Sequence, residues 1–72
     1  MIDNEKKNIM KSFRARAGYS QEQVAKKLGI TRQTFVIYEK NPGIMTIETF
    51  GKLKDLYGDD FETVFFEKKL YK

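Results

Sequence analysis

Ser20-Gln21-Glu22-Gln23-Val24-Ala25-Lys26-Lys27-Leu28-Gly29-Ile30-Thr31-Arg32-Gln33-Thr34-Phe35-Val36-Ile37-Tyr38-Glu39-Lys40 reads as two short helices joined by a very tight turn. The Ser20 hydroxyl is positioned to accept from the Gln23 amide while the Gln23 side chain returns to the Ser20 amide, a capping box that starts the first of the two. That helix ends near Leu28, and Gly29 supplies a residue that tolerates positive φ. Thr31 caps the second helix, which runs to Glu39 or Lys40. Ala25 is small where the helices would cross, Gly29 turns without a side-chain clash, and Val24, Leu28, Ile30, Phe35 and Tyr38 supply the apolar contacts that lock the pair. Any helical hairpin needs apolar spacing and a glycine. Seven positions meeting the demands at once point instead to a helix-turn-helix that binds DNA.

The second of these helices, third in the chain, has two unlike sides. At about 100° per residue, Thr31, Thr34, Phe35 and Tyr38 gather on the side facing the core. Arg32, Gln33, Val36, Ile37 and Lys40 share the opposite arc. An arginine forks onto guanine O6 and N7, a glutamine onto adenine N6 and N7, and aliphatic groups pack on thymine methyls, so this arc suits the major groove. The alternative for Val36 and Ile37 is burial, because a short helix in a small domain can bury more than one face.

Outward from the motif, Gly18, Gly29, Asn41-Pro42-Gly43 and Gly58-Asp59-Asp60 divide the chain into five helical segments. The first covers about residues 4–17, with Ile9, Phe13 and Ala17 on one face and Gly18 as its C-cap. The fourth covers about 47–57 after a Thr46 cap. Asp60 is expected to cap a short fifth helix through Val64 and Phe65. Phe66-Glu67-Lys68-Lys69-Leu70-Tyr71-Lys72 has no clear period and reads as an extended tail or a short strand. The expectation is an all-α, five-helix fold in one domain over residues 1–72, with a core over about 4–65.

Seventy-two residues, 40% of them hydrophobic, lie near the lower size at which one core holds itself together, so a partner subunit is expected to contribute stability. The chain has neither cysteine nor histidine. This excludes a disulfide framework, His-based acid/base or nucleophile arrangements, and the usual zinc and copper sites; no cofactor or metal is expected. An enzyme would depend on carboxylates such as Asp59 and Asp60, which serve better as a helix cap. RNA binding is disfavoured because the aromatics sit at core spacing and not on a stacking surface. The polar amino terminus leads into no signal peptide or membrane span, which points to a cytoplasmic protein. A net charge of +4 is compatible with a polyanionic partner. Eleven of the fourteen cations are lysines; the arginines are Arg14, Arg16 and Arg32.

With these residues in view, the stretch from Ser20 to Phe35 resembles the Cro/C1-type (XRE) helix-turn-helix family of phage and bacterial transcriptional regulators. The likeness extends over about residues 9–65, taking in Gly18-Tyr19, Tyr38-Glu39, Thr46-Ile47-Glu48-Thr49-Phe50 and Gly58 through Phe65. It implies a lambda-repressor-like fold and sequence-specific binding of double-stranded DNA, as a repressor on an inverted-repeat operator. It also implies roles for single residues. Gln21 resembles the family's glutamine that contacts a DNA phosphate, and Thr31 a residue that contacts the backbone. Arg32, Gln33 and Ile37 match base-reading positions, with Val36 beside them. Arg14 and Glu39 match a pair joined by a largely buried salt bridge between the first helix and the end of the third.

The loop after Glu39 departs from the family pattern: Asn41-Pro42-Gly43-Ile44-Met45 replaces a glycine followed by basic residues. Asn41 can still adopt the left-handed conformation. With Pro42 and Gly43 in place of cations, Lys40 and Asn41 remain as backbone contacts, supplemented by Lys6, Lys7 and Lys11. The family's two-fold operators imply a homodimer, for which Phe66, Leu70 and Tyr71 are the candidate interface, through paired short strands or the fifth helix. The alternative is an antitoxin-like or other protein-interaction module of the same fold, with the tail wrapping a partner protein.

Overall fold

The structure is a computed structural model that describes the backbone of residues 2–70 and the side chains of residues 8–66. Five α-helices follow one another: α1 (Ile2–Ala17), α2 (Gln21–Leu28), α3 (Arg32–Lys40), α4 (Ile47–Tyr57) and α5 (Asp60–Leu70). A single 3-10 turn (Pro42–Ile44) links α3 to α4. This is an all-α, lambda-repressor-like arrangement.

Local chemistry starts and stops the helices. Ser20 Oγ accepts from the Gln23 amide at 3.1 Å and the Ser20 amide donates to Gln23 Oε1 at 2.8 Å, completing the capping box. Thr31 Oγ1 accepts from the Thr34 amide and Thr46 Oγ1 from the Thr49 amide, each at 3.1 Å. These contacts satisfy amides that have no partner within their own helix. At the turn, Gly29 has φ +76°, and the Ile30 amide returns to the Ala25 carbonyl at 3.0 Å. A Cβ built on Gly29 would meet nothing within 4 Å. The glycine is therefore required for its backbone conformation and not, as expected, to avoid a clash.

All five helices contribute to one core: Ile9, Met10 and Phe13 from α1, Val24, Ala25 and Leu28 from α2, Phe35 from α3, Leu53 and Tyr57 from α4, Phe61 and Phe65 from α5. The stripe expected on α1 is displaced. Met10 is fully buried and Ala17 is exposed; in the last turn of α1 it is Arg14, paired with Glu39, that is partly covered. At the α4–α5 end the core is aromatic. The Phe61 ring lies 5.2 Å from Phe13, 5.3 Å from Tyr57 and 5.1 Å from Phe50, two of these contacts edge-to-face.

Three further expectations need correction. Asn41 is not left-handed: its φ is −140°, its amide donates to the Ile37 carbonyl at 2.9 Å, and Pro42 pushes it out of the helical region. Pro42 is itself buried and opens the 3-10 turn, which packs against α1 and α3. Asp60 lies in the first turn of α5, where its carboxylate accepts from Arg16 at 3.0 Å. Finally, residues 66–70 continue α5 in place of a strand or extended tail. Glu67, Lys68, Lys69 and Leu70 are good helix formers with no glycine or proline among them. The period is hard to see because Phe61, Val64, Phe65 and Phe66 are spread over more than one face. The side chain of Leu70, and Tyr71 altogether, lie outside the described residues.

Candidate nucleic-acid interface

Within the α2–α3 pair, Phe35 and Glu39 anchor α3 from its buried side. Gln33, Ile37 and Lys40 are exposed away from it, Arg32 is exposed at the edge nearest Glu39, and Val36 is half-buried among them. Ile37 keeps 52% of its surface accessible. Thr31 and Asn41, at the two ends of α3, are also exposed. The Thr31 hydroxyl is already engaged by the Thr34 amide and lies 2.9 Å from the Thr34 hydroxyl.

Beneath this face lies a polar network. Glu39 is only 1% exposed, and its Oε2 accepts from Arg14 Nε at 2.7 Å, with Arg14 itself 20% exposed. Arg14 Nη2 reaches Glu39 Oε1 at 3.4 Å, and Arg14 Nη1 donates to the Tyr19 carbonyl at 3.1 Å. The half-buried Gln21 joins the same carboxylate, Nε2 donating to Glu39 Oε1 at 2.9 Å, and its Oε1 accepts from Arg32 Nη2 at 3.4 Å. Gln21 thus links the buried pair to the exposed face. No local pattern announces this link, because the partners are 18 and 11 residues apart.

Each of the three arginines has a definite place. Arg14 holds Glu39. Arg16 pairs with Asp60 and lies 4.2 Å from the centre of the Phe13 ring. Arg32, exposed on α3, has Gln21 as its polar neighbour. Sequence reading did not anticipate Lys52, whose Nζ donates to the Leu28 carbonyl at 3.4 Å, placing a cation at the negative end of α2. Nor did it anticipate Tyr57, whose hydroxyl is buried without a hydrogen-bond partner among the described residues. Burial pushes the pKa of this hydroxyl well above the ordinary tyrosine range; the Glu39 charge adds to the rise and Arg14 opposes it.

Among the described residues, no group of three acidic, histidine or cysteine side chains is placed to hold a metal ion, and no helix is long and apolar enough to cross a membrane. The side chains of Lys6 and Lys7 lie outside the described residues, while Lys11 is exposed on α1.

Comparison with known proteins supports the same region. The helix-turn-helix family model matches residues 10–58. An HTH-type transcriptional regulatory protein of Saccharolobus islandicus (strain L.S.2.15 / Lassen #1) is 44% identical over 52 residues, which are 72% of this chain and 17% of that protein. A counterpart in Saccharolobus solfataricus matches with the same identity and coverage. An HTH-type transcriptional regulator of Methanocaldococcus jannaschii is 36% identical over 59 residues, 82% of this chain and 89% of that protein. The chain therefore spans about a sixth of the length of the Saccharolobus relatives but most of the Methanocaldococcus one. No solved structure matches. The family consists of DNA-binding regulators and not of enzymes. With the family model covering most of the chain and the motif helices folded as that family requires, the protein belongs to the Cro/C1-type (XRE) helix-turn-helix family of DNA-binding transcriptional regulators.

Proposed function

We propose that the protein is a repressor that binds an inverted-repeat operator as a homodimer in the cytoplasm, setting two copies of α3 into successive major grooves about 34 Å apart. Arg32, Gln33, Val36 and Ile37 read base edges. Gln21, through the backbone amide at the start of α2, together with Thr31, Lys40 and Asn41, contacts the phosphate backbone and sets the register. The observation that carries this reading is the two-sidedness of α3: Phe35 and Glu39 are buried, Gln33 and Ile37 are exposed away from them, and Arg32 is exposed at the edge between the two, beside Gln21. A helix anchored in this way meets a groove with little reorganisation.

For the dimer contact, the candidate on the described part of α5 is Phe66. Phe66 is 43% accessible there and follows directly on the buried Phe65. Leu70 and Tyr71, outside the described side chains, complete the candidate set from the sequence alone.

Selection of bound DNA from a random duplex pool, followed by affinity against scrambled DNA at physiological salt, tests the reading. An enriched inverted repeat bound at least about a thousandfold more tightly than scrambled DNA is the expected result. On that operator, Arg32→Ala is expected to cost about 1 to 3 kcal/mol and to relax the choice of base at one position per half-site. No enrichment would remove the regulator reading and favour a protein-interaction module of the same fold.

A further inference from the structure

We propose that Glu39 is a specificity-positioning residue: through the side-chain amide of Gln21, its buried carboxylate sets the posture of Arg32. The inference rests on Arg32 being the base reader. Glu39 is 1% exposed and, as a carboxylate paired with Arg14, can only accept hydrogen bonds. Gln21 meets it at 2.9 Å and must therefore turn its NH2 group inward. The amide oxygen is left facing outward, where it accepts from Arg32 Nη2 at 3.4 Å. The polarity of one buried charge is in this way passed through one amide to an exposed guanidinium.

Without that charge, nothing fixes the amide. Its flipped form would set NH2 against the Arg32 guanidinium, donor against donor, and would repel the posture instead of holding it. A guanidinium carries five N–H donors, so engaging one on Gln21 leaves others for the paired acceptors of a guanine edge. Holding a rotamer-rich side chain ready before binding corresponds to roughly a two- to tenfold gain in affinity for the matching base, because less ordering remains to be done on contact.

The test measures discrimination and not affinity. Affinities of the full chain are determined for the selected operator and for operators substituted at single base pairs, and each is expressed as a ratio. Arg32→Ala first locates the base pair at which its ratio collapses; no such position would overturn the base-reading role and this proposal with it. Glu39→Gln and Gln21→Met are then each expected to lower the ratio at that position roughly two- to tenfold, leaving positions unaffected by Arg32→Ala as they were. The double variant should lose no more than the larger single loss, since both act on one path. A purely structural role would weaken all sequences alike and leave the ratios intact.

If Glu39→Gln does not fold, the paired change of Arg14→Met with Glu39→Met removes both charges at similar volume and carries the same expectation. An unchanged ratio in folded Gln21→Met, or in whichever of the Glu39 variants folds, would overturn the proposal while leaving Arg32 as a base reader.

Discussion

The α2–α3 pair and the α4–α5 end are both helical hairpins closed through a glycine, yet they are specified in different ways. In α2–α3 the helix starts and the turn are settled by groups within a few residues of one another: Ser20 with Gln23, Thr31 with Thr34, and Gly29 with the carbonyls before it. At α4–α5, the Thr46 cap is as local as these, but the packing rests on rings that come together only in the folded chain. Phe13, Phe50, Tyr57, Phe61, Phe65 and Phe66 form that cluster. One region carries a short-range code; the other depends on burial. The surface proposed to face DNA belongs to the first, and most of the core's aromatic rings to the second.

The largest expected effect breaks the second region. Phe61→Ala should destabilise by about 3 to 5 kcal/mol in urea titration, because a fully buried ring with four aromatic neighbours leaves a cavity that helices cannot refill. Far-UV and near-UV signals should be lost together, since this end and the motif share one core.

Next is the polar link between the regions. Arg14→Ala leaves the Glu39 carboxylate buried without its cation, and a loss near the lower end of about 3 to 5 kcal/mol is expected because Arg14 is itself partly solvated. A loss below about 1 kcal/mol would mean that water replaces the guanidinium freely.

A smaller effect sharpens the description of the first region. Gly29→Ala is expected to cost about 1 to 2 kcal/mol, entirely through the left-handed backbone, since the site has room for a methyl group. Gly29→Asn should recover part of that in the same thermal or urea experiment. Equal losses for Ala and Asn would point to a packing requirement instead.

The smallest effect runs the other way. Tyr57→Phe removes a buried hydroxyl without a partner and should be neutral or stabilising by up to about 1 kcal/mol near pH 7. The raised pKa adds a signature at high pH. Above about pH 10 an unfolded tyrosine loses its proton while folded Tyr57 keeps it, so stability falls as pH rises. The phenylalanine variant should show a shallower fall between about pH 10 and 12 in urea midpoints. Identical slopes would mean that Tyr57 ionises alike in the folded and unfolded chain.

The limits of sequence reading follow the same division. The caps at Ser20, Thr31 and Thr46 and the turn at Gly29 were legible because donor and acceptor lie within three or four residues. The period of α3 correctly separated Phe35 from Arg32, Gln33 and Ile37. Periodicity failed at two places: Met10 is buried and Ala17 is not, and α5 runs on to Leu70 over good helix formers although Phe66 departs from the face shared by Phe61, Val64 and Phe65. Asn41 was read for its own tolerance of left-handed backbone, while the following Pro42, held in a buried 3-10 turn, set its conformation.

By itself, then, the sequence determined the number of helices, the caps at Ser20, Thr31 and Thr46, the motif turn and the exposure of Arg32, Gln33 and Ile37 on α3, since all of these depend on short-range geometry and on a 3.6-residue period. Tertiary structure alone decided that Gln21 would stand between Glu39 and Arg32, that Tyr57 would carry its hydroxyl into the core, and that the aromatic rings would close on Phe61. Those outcomes depend on how whole helices cross, and no window of neighbouring residues contains that information.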